Sequence, residues 1–80
     1  MTNLEKYHKI LKINLGVKED EMNDDILTYN RHPKWDSVSH MLMVADLEER
    51  FGIQFETLDI TSFNTYSTGL EILRKLGVEI

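Results

Sequence analysis

The sequence predicts an all-α domain: a small four-helix bundle with a long loop between helices 1 and 2 and a short third helix. Three observations carry that expectation. Apolar residues recur at steps of three and four in the first and last segments, the period of a helix. Strand signals are weak, since the only candidate, Gly52 to Phe55, is too short to assign. The breakers, Pro33 and Gly16, Gly52, Gly69 and Gly77, lie mainly between apolar segments.

The first helix is expected over about residues 2–15, with Leu4, Tyr7, Leu11 and Leu15 as its stripe. Thr2 or Asn3 can cap its start, and Gly16 stands where a left-handed C-terminal cap belongs. A long connection follows, about residues 17–36. Its acids Glu19, Asp20, Glu21, Asp24 and Asp25 read as solvated loop, while Val17, Met22, Ile26, Leu27 and Tyr29 can pin it to the core. Such a long loop is unusual in a small domain and is often functional.

The second helix should begin near Ser37 and end near Phe51, with Gly52 behind it. Met41 to Ala45 are consecutive apolar residues, and at 100° steps they go all the way round the helix. A surface helix would show a stripe instead. This helix is either buried on most sides or presents an apolar face to a partner, and full burial is difficult in so small a domain. A short helix is expected from Asp59 to Phe63. The last should run from about Tyr66 to Leu76, with Tyr66, Leu70, Leu73 and Leu76 as its stripe, Thr65 as its cap and Gly77 as its stop.

Eighty residues make one domain, residues 1–80. A chain of this size buries only about 60% of its unfolded surface, enough for a small core but not for a deep substrate cavity. An enzyme acting by itself is therefore not expected. There is no cysteine, so no disulfide and no thiolate metal site, which suits a reducing cytoplasm. The first residues lack a signal peptide's apolar run, and no stretch approaches the ~20 apolar residues of a membrane span. The net charge of −5 comes wholly from residues 36–80, because acids and bases balance in residues 1–35. An acidic second half repels nucleic acid and anionic membranes and favours a basic partner surface. The expectation is a cytoplasmic monomer that binds neither nucleic acid nor membrane.

Asp36 and Ser37 stand where the long loop meets the second helix. Both residue types are preferred helix caps, and loss of a cap costs about 0.5–2 kcal/mol. A serine there is also open to a large enzyme and lies at the positive end of a helix dipole, which favours an attached phosphate. A catalytic relay of Asp36, Ser37 and His40 would be cramped on one helix, and no oxyanion loop accompanies it. Glu48 and Glu49 point about 100° apart and do not converge. His8, His32 and His40 lack metal-ligand spacing, and His40 reads as a tolerated helix residue. The methionines read as core filler. Trp35 is either a loop anchor or an exposed contact. No catalytic or metal-binding residue is expected.

The chain resembles the acyl carrier protein family over nearly its whole length. Leu15 to Met22 is similar to the end of that family's first helix and the opening of its loop. Asp36-Ser37-Val38 resembles its Asp-Ser-Leu signature, followed at the family's spacing by Leu47-Glu48-Glu49-Arg50-Phe51. Phe63 through Thr65 resembles its threonine-rich lead into the last helix. The resemblance implies a 4'-phosphopantetheine arm attached to Ser37 by a phosphopantetheinyl transferase using coenzyme A and magnesium, with Asp36 helping that transferase recognise the site. The arm's thiol would carry an acyl group as a thioester, received from a loading ligase or acyltransferase and passed to an acyl-accepting enzyme. Val38, Met41, Ala45, Asp46, Glu48 and Glu49 are the expected partner-binding residues.

The chain departs from the family where Lys34 replaces a glycine, where the loop is slightly longer, and where Ser39 and Leu42 stand in place of acids. Trp35-Asp36-Ser37 looks like discrete carriers of specialised pathways, such as polyketide, peptide or surface-polysaccharide acylation. The alternative is a carrier-fold interaction protein that is never modified.

Overall fold

A computed structural model describes all 80 residues, Met1–Ile80. The chain forms four helices: α1 (Asn3–Leu15), α2 (Ser37–Phe51), α3 (Thr57–Ser62) and α4 (Tyr66–Lys75). A single 3-10 turn, Glu19–Glu21, interrupts the long connection. The only bridge is an isolated antiparallel pair, Thr28 with Thr65. No helix is long and apolar enough to cross a membrane.

Local chemistry sets the helix ends. The Thr2 hydroxyl accepts the Glu5 N–H, and the Glu5 carboxylate accepts the Thr2 N–H, which closes a capping box on α1. The Thr2 backbone N–H on its carboxylate holds the Glu5 carboxyl below its ordinary range. Gly16 and Gly52 end α1 and α2 in the left-handed conformation, at φ 67° and 63°. On α4 the Thr65 hydroxyl accepts the Thr68 N–H.

Fourteen buried apolar residues form one core. α1 gives Tyr7, Ile10, Leu11 and Leu15, α2 gives Met43, Val44 and Leu47, and α4 gives Ile72 and Leu73. Phe55 and Phe63 flank α3. The long connection adds Val17, Leu27 and Trp35, so it is part of the core. Backbone bonds tie it down as well: Tyr29 N–H to Asn64 O at 2.8 Å and Tyr66 N–H to Leu27 O at 3.1 Å. Met22, Ile26 and Tyr29 pack on the core half-buried.

Several expectations need correction. Leu4 is 42% exposed, and the buried face of α1 runs instead through Tyr7, His8, Ile10, Leu11 and Leu15. The acidic run is not all loop: Glu19 opens the 3-10 turn and is ion-paired to Lys12 at 2.7 Å. α3 begins at Thr57, since Asp59 lies inside the helix and accepts the Glu56 N–H at 3.0 Å. α4 ends at Lys75, and it buries Gly69, Ile72 and Leu73 more deeply than Tyr66, Leu70 and Leu76. Gly69 marks a close contact. A Cβ there would lie 2.1 Å from the Tyr7 hydroxyl and 2.7 Å from Phe63 Cε1. Only a glycine lets the Tyr7 hydroxyl and the Phe63 ring come this close to the α4 backbone.

Candidate functional site

The start of α2 gathers the residues singled out in the sequence. Asp36, not Ser37, is the N-cap: its Oδ1 accepts the Ser39 N–H at 3.0 Å. That bond holds the Asp36 carboxyl below its ordinary range. Ser37 is the first helical residue and is exposed. Its hydroxyl is therefore free of capping duty and stands at the positive end of a 15-residue helix.

Behind Ser37, α2 has two distinct faces. His40, Met43, Val44 and Leu47 point inward. Val38, Met41 and Leu42 are 69%, 51% and 56% exposed, and Ala45 is exposed beside them. Of the two options open from sequence, the apolar run is thus divided, with one half in the core and the other facing solvent.

The three acids of the later half differ in their surroundings. The Asp46 carboxylate accepts from Asn14 Nδ2 of α1 at 2.9 Å. The Glu48 carboxylate accepts the Phe55 N–H at 2.8 Å and so fastens the segment after α2. Glu49 is exposed and shares a shallow cleft with Ile10, Ile13, Asp46 and Arg50. Glu49 alone of the three is given over to solvent.

Trp35 resolves as a loop anchor, fully buried. Its indole N–H donates to His40 Nδ1 at 3.0 Å. An indole nitrogen only donates, so Nδ1 must accept and the ring proton sits on Nε2. Nε2–H then donates to the Ile60 carbonyl of α3 at 2.8 Å. His40 is thus no mere tolerated helix residue; it joins the loop, α2 and α3. Tyr29 and Phe63 pack against its ring at 5.2 and 5.3 Å between centroids. Tyr29, His40, Ile60, Thr61, Phe63 and Asn64 line a mostly apolar cleft of about 210 Å³ at this junction. Both His40 ring nitrogens are engaged, by Trp35 and Ile60, and Asp36 Oδ1 is bonded to Ser39, so none of these atoms is directed at Ser37.

A second network, which sequence reasoning missed, joins α1, the long connection and α4. His8 Nδ1 is 2.5 Å from Glu19 Oε2, and Nε2 is 2.6 Å from the Tyr66 hydroxyl. The Tyr7 hydroxyl donates to the Tyr66 carbonyl at 2.8 Å. Lys12 first, and His8 after it, hold the Glu19 carboxyl below its ordinary range, and burial pushes both tyrosine hydroxyls upward. Through these bonds the cluster clasps α1, the loop and α4 together. The signal available in the sequence was Gly69, a glycine inside a helical pattern, which marks close packing.

The chain matches no protein-family model and no curated protein.

Proposed function

We propose that this chain is an acyl carrier protein, with Ser37 holding a 4'-phosphopantetheine arm on which an acyl group travels as a thioester. One observation carries the reading: an exposed serine hydroxyl with no base beside it opens a helix whose outer face, Val38, Met41, Leu42 and Ala45, is apolar and unpartnered. A phosphodiester on Ser37 Oγ fits this end of α2. Its charge would meet the positive end of the helix dipole, and the Asp36 carboxylate is turned back onto Ser39. When bound, the arm supplies the thiol that the cysteine-free chain lacks.

The partners of this reading are a phosphopantetheinyl transferase, an acyl-loading ligase or acyltransferase, and an acyl-accepting enzyme. Docking would use the apolar face of α2 with Glu49 at its border. Asp46 and Glu48 contribute charge from more constrained positions. With Leu42 and Ser39 in place of acids, a less basic and more apolar partner surface fits best. That supports a specialised pathway over bulk fatty-acid elongation.

The test is the intact mass after incubation with a broad-range transferase, coenzyme A and magnesium. The reading expects a gain of one phosphopantetheine on the wild-type chain and none on Ser37→Ala. No gain on the wild-type chain would leave an unmodified interaction protein using the same apolar face.

A further inference from the structure

We infer that Trp35 and His40 are positioning residues for Ser37, a side-chain clamp that closes over the start of α2 and sets where the serine hydroxyl stands. The inference rests on reading Ser37 as the attachment site. Ser37 has no side-chain tie of its own, so its position is set by the backbone on either side. That backbone is held at both flanks. Before it, Trp35 is fully buried, and its carbonyl accepts the Asn30 N–H at 2.9 Å. After it, the Ser39 and His40 N–H groups both bond to Asp36, at 3.0 and 2.9 Å. The Trp35 indole N–H to His40 Nδ1 bond then joins the two flanks across the serine. The two rings lie within 25° of parallel, 6.1 Å between centroids, as the bond between their edges requires. The Nε2–H bond to Ile60 O fixes the far side of His40 to α3. Neither side chain touches the hydroxyl; both act through the backbone.

Group transfer onto a serine depends on placement, since an error of about 1 Å can cost a hundredfold in rate. Removal of the clamp should therefore lower the turnover of the modifying enzyme. It should leave docking alone, because the outer face of α2 is untouched.

The experiment compares wild type with Trp35→Phe, which keeps an aromatic ring in the core but deletes the indole N–H together with part of the buried bicycle. Ile72→Val on α4 is the control, a mild core loss away from the clamp. The expected result is a fall of about tenfold or more in transferase kcat for Trp35→Phe, with KM little changed and the control near wild type. Equal losses in both variants, or a change confined to KM, would overturn the inference. A second measurement needs no transferase: amide exchange at Ser39 and His40 should quicken by about tenfold in Trp35→Phe, with α4 amides unaffected. Unchanged exchange there would also overturn it. A wild-type chain that gains no mass would sink the carrier reading alone, and exchange would then decide whether the clamp exists.

Discussion

The inner and outer faces of α2 carry similar residues in opposite surroundings. Inward, Met43, Val44 and Leu47 lie in the core with His40 among the aromatic rings. Outward, Val38, Met41 and Leu42 meet solvent with nothing packed over them. Folding accounts for the first set. It gives no reason for the second, since exposed apolar groups gain nothing from burial in this chain. A contiguous apolar face of this kind marks a contact surface. On the proposed reading, the same helix holds the domain together on one side and offers the other to a partner.

The widest gap between the faces should come from truncation. Leu47→Ala removes a fully buried side chain and should cost about 2–5 kcal/mol, by transfer and cavity effects together. Leu42→Ala should stay within about 0.5 kcal/mol, as for other surface changes. Urea unfolding of both variants measures the gap. A large loss from Leu42→Ala would mean that the outer face is structural, and the argument for a docking surface would fail.

Much of this division was legible in sequence, and its limits are instructive. The span of α2 follows from Asp36, the apolar positions and Gly52, which are local signals. Five apolar residues in a row could not say which of them face inward, because that depends on where α1 and α3 lie. Trp35 and His40 were unreadable for the same reason: their bond links the loop to the helix, and its second half ends on a carbonyl of α3. The Ser37 hydroxyl was readable as exposed, but the choice of Asp36 as the cap depended on where the helix begins to within one residue.

The contact between α1 and α4 offers a contrast to the open face of α2. There Gly69 lets Tyr7 and Phe63 come against the α4 backbone. Gly69→Ala gains up to about 1 kcal/mol of helix propensity. Against that, the new Cβ meets a buried tyrosine that cannot swing away without losing its bond to the Tyr66 carbonyl. Overpacking should win, with a net loss of about 1–3 kcal/mol, read as a lower melting temperature. No loss would mean that α1 and α4 can slide apart freely, and the contrast with α2 would weaken.

A smaller effect should appear where α3 meets α4. Lys75 is ion-paired with Asp59 and holds its carboxyl below the ordinary range, while Asp59 raises the Lys75 ammonium. The carboxylate's contribution is present above its unfolded value and is lost as pH falls through the lower folded value. The ammonium's contribution is present below its unfolded value and is lost only as pH rises through the higher folded one. Both are in place near neutrality, so acid removes the pair first. Lys75→Met should make the decline in urea midpoint from about pH 7 to about pH 3 shallower than in wild type. Parallel declines would show that the pair adds nothing to stability at this exposed lysine.

The smallest expected effect on folding separates site from scaffold most sharply. A capping role for Ser37 would make Ser37→Ala cost about 0.5–2 kcal/mol. The geometry gives that role to Asp36, whose carboxylate bonds to the Ser39 N–H, and leaves the serine exposed at the next position. Alanine is also the better helix former. Ser37→Ala should therefore unfold within about 0.5 kcal/mol of wild type, with an unchanged helical signal. Asp36→Ala should be clearly less stable, because it leaves the Ser39 N–H without its acceptor. Chemical denaturation of the two variants side by side decides the matter. If Ser37→Ala proved the weaker of the two, the hydroxyl would belong to the scaffold after all, and its exposure would cease to be an argument for attachment.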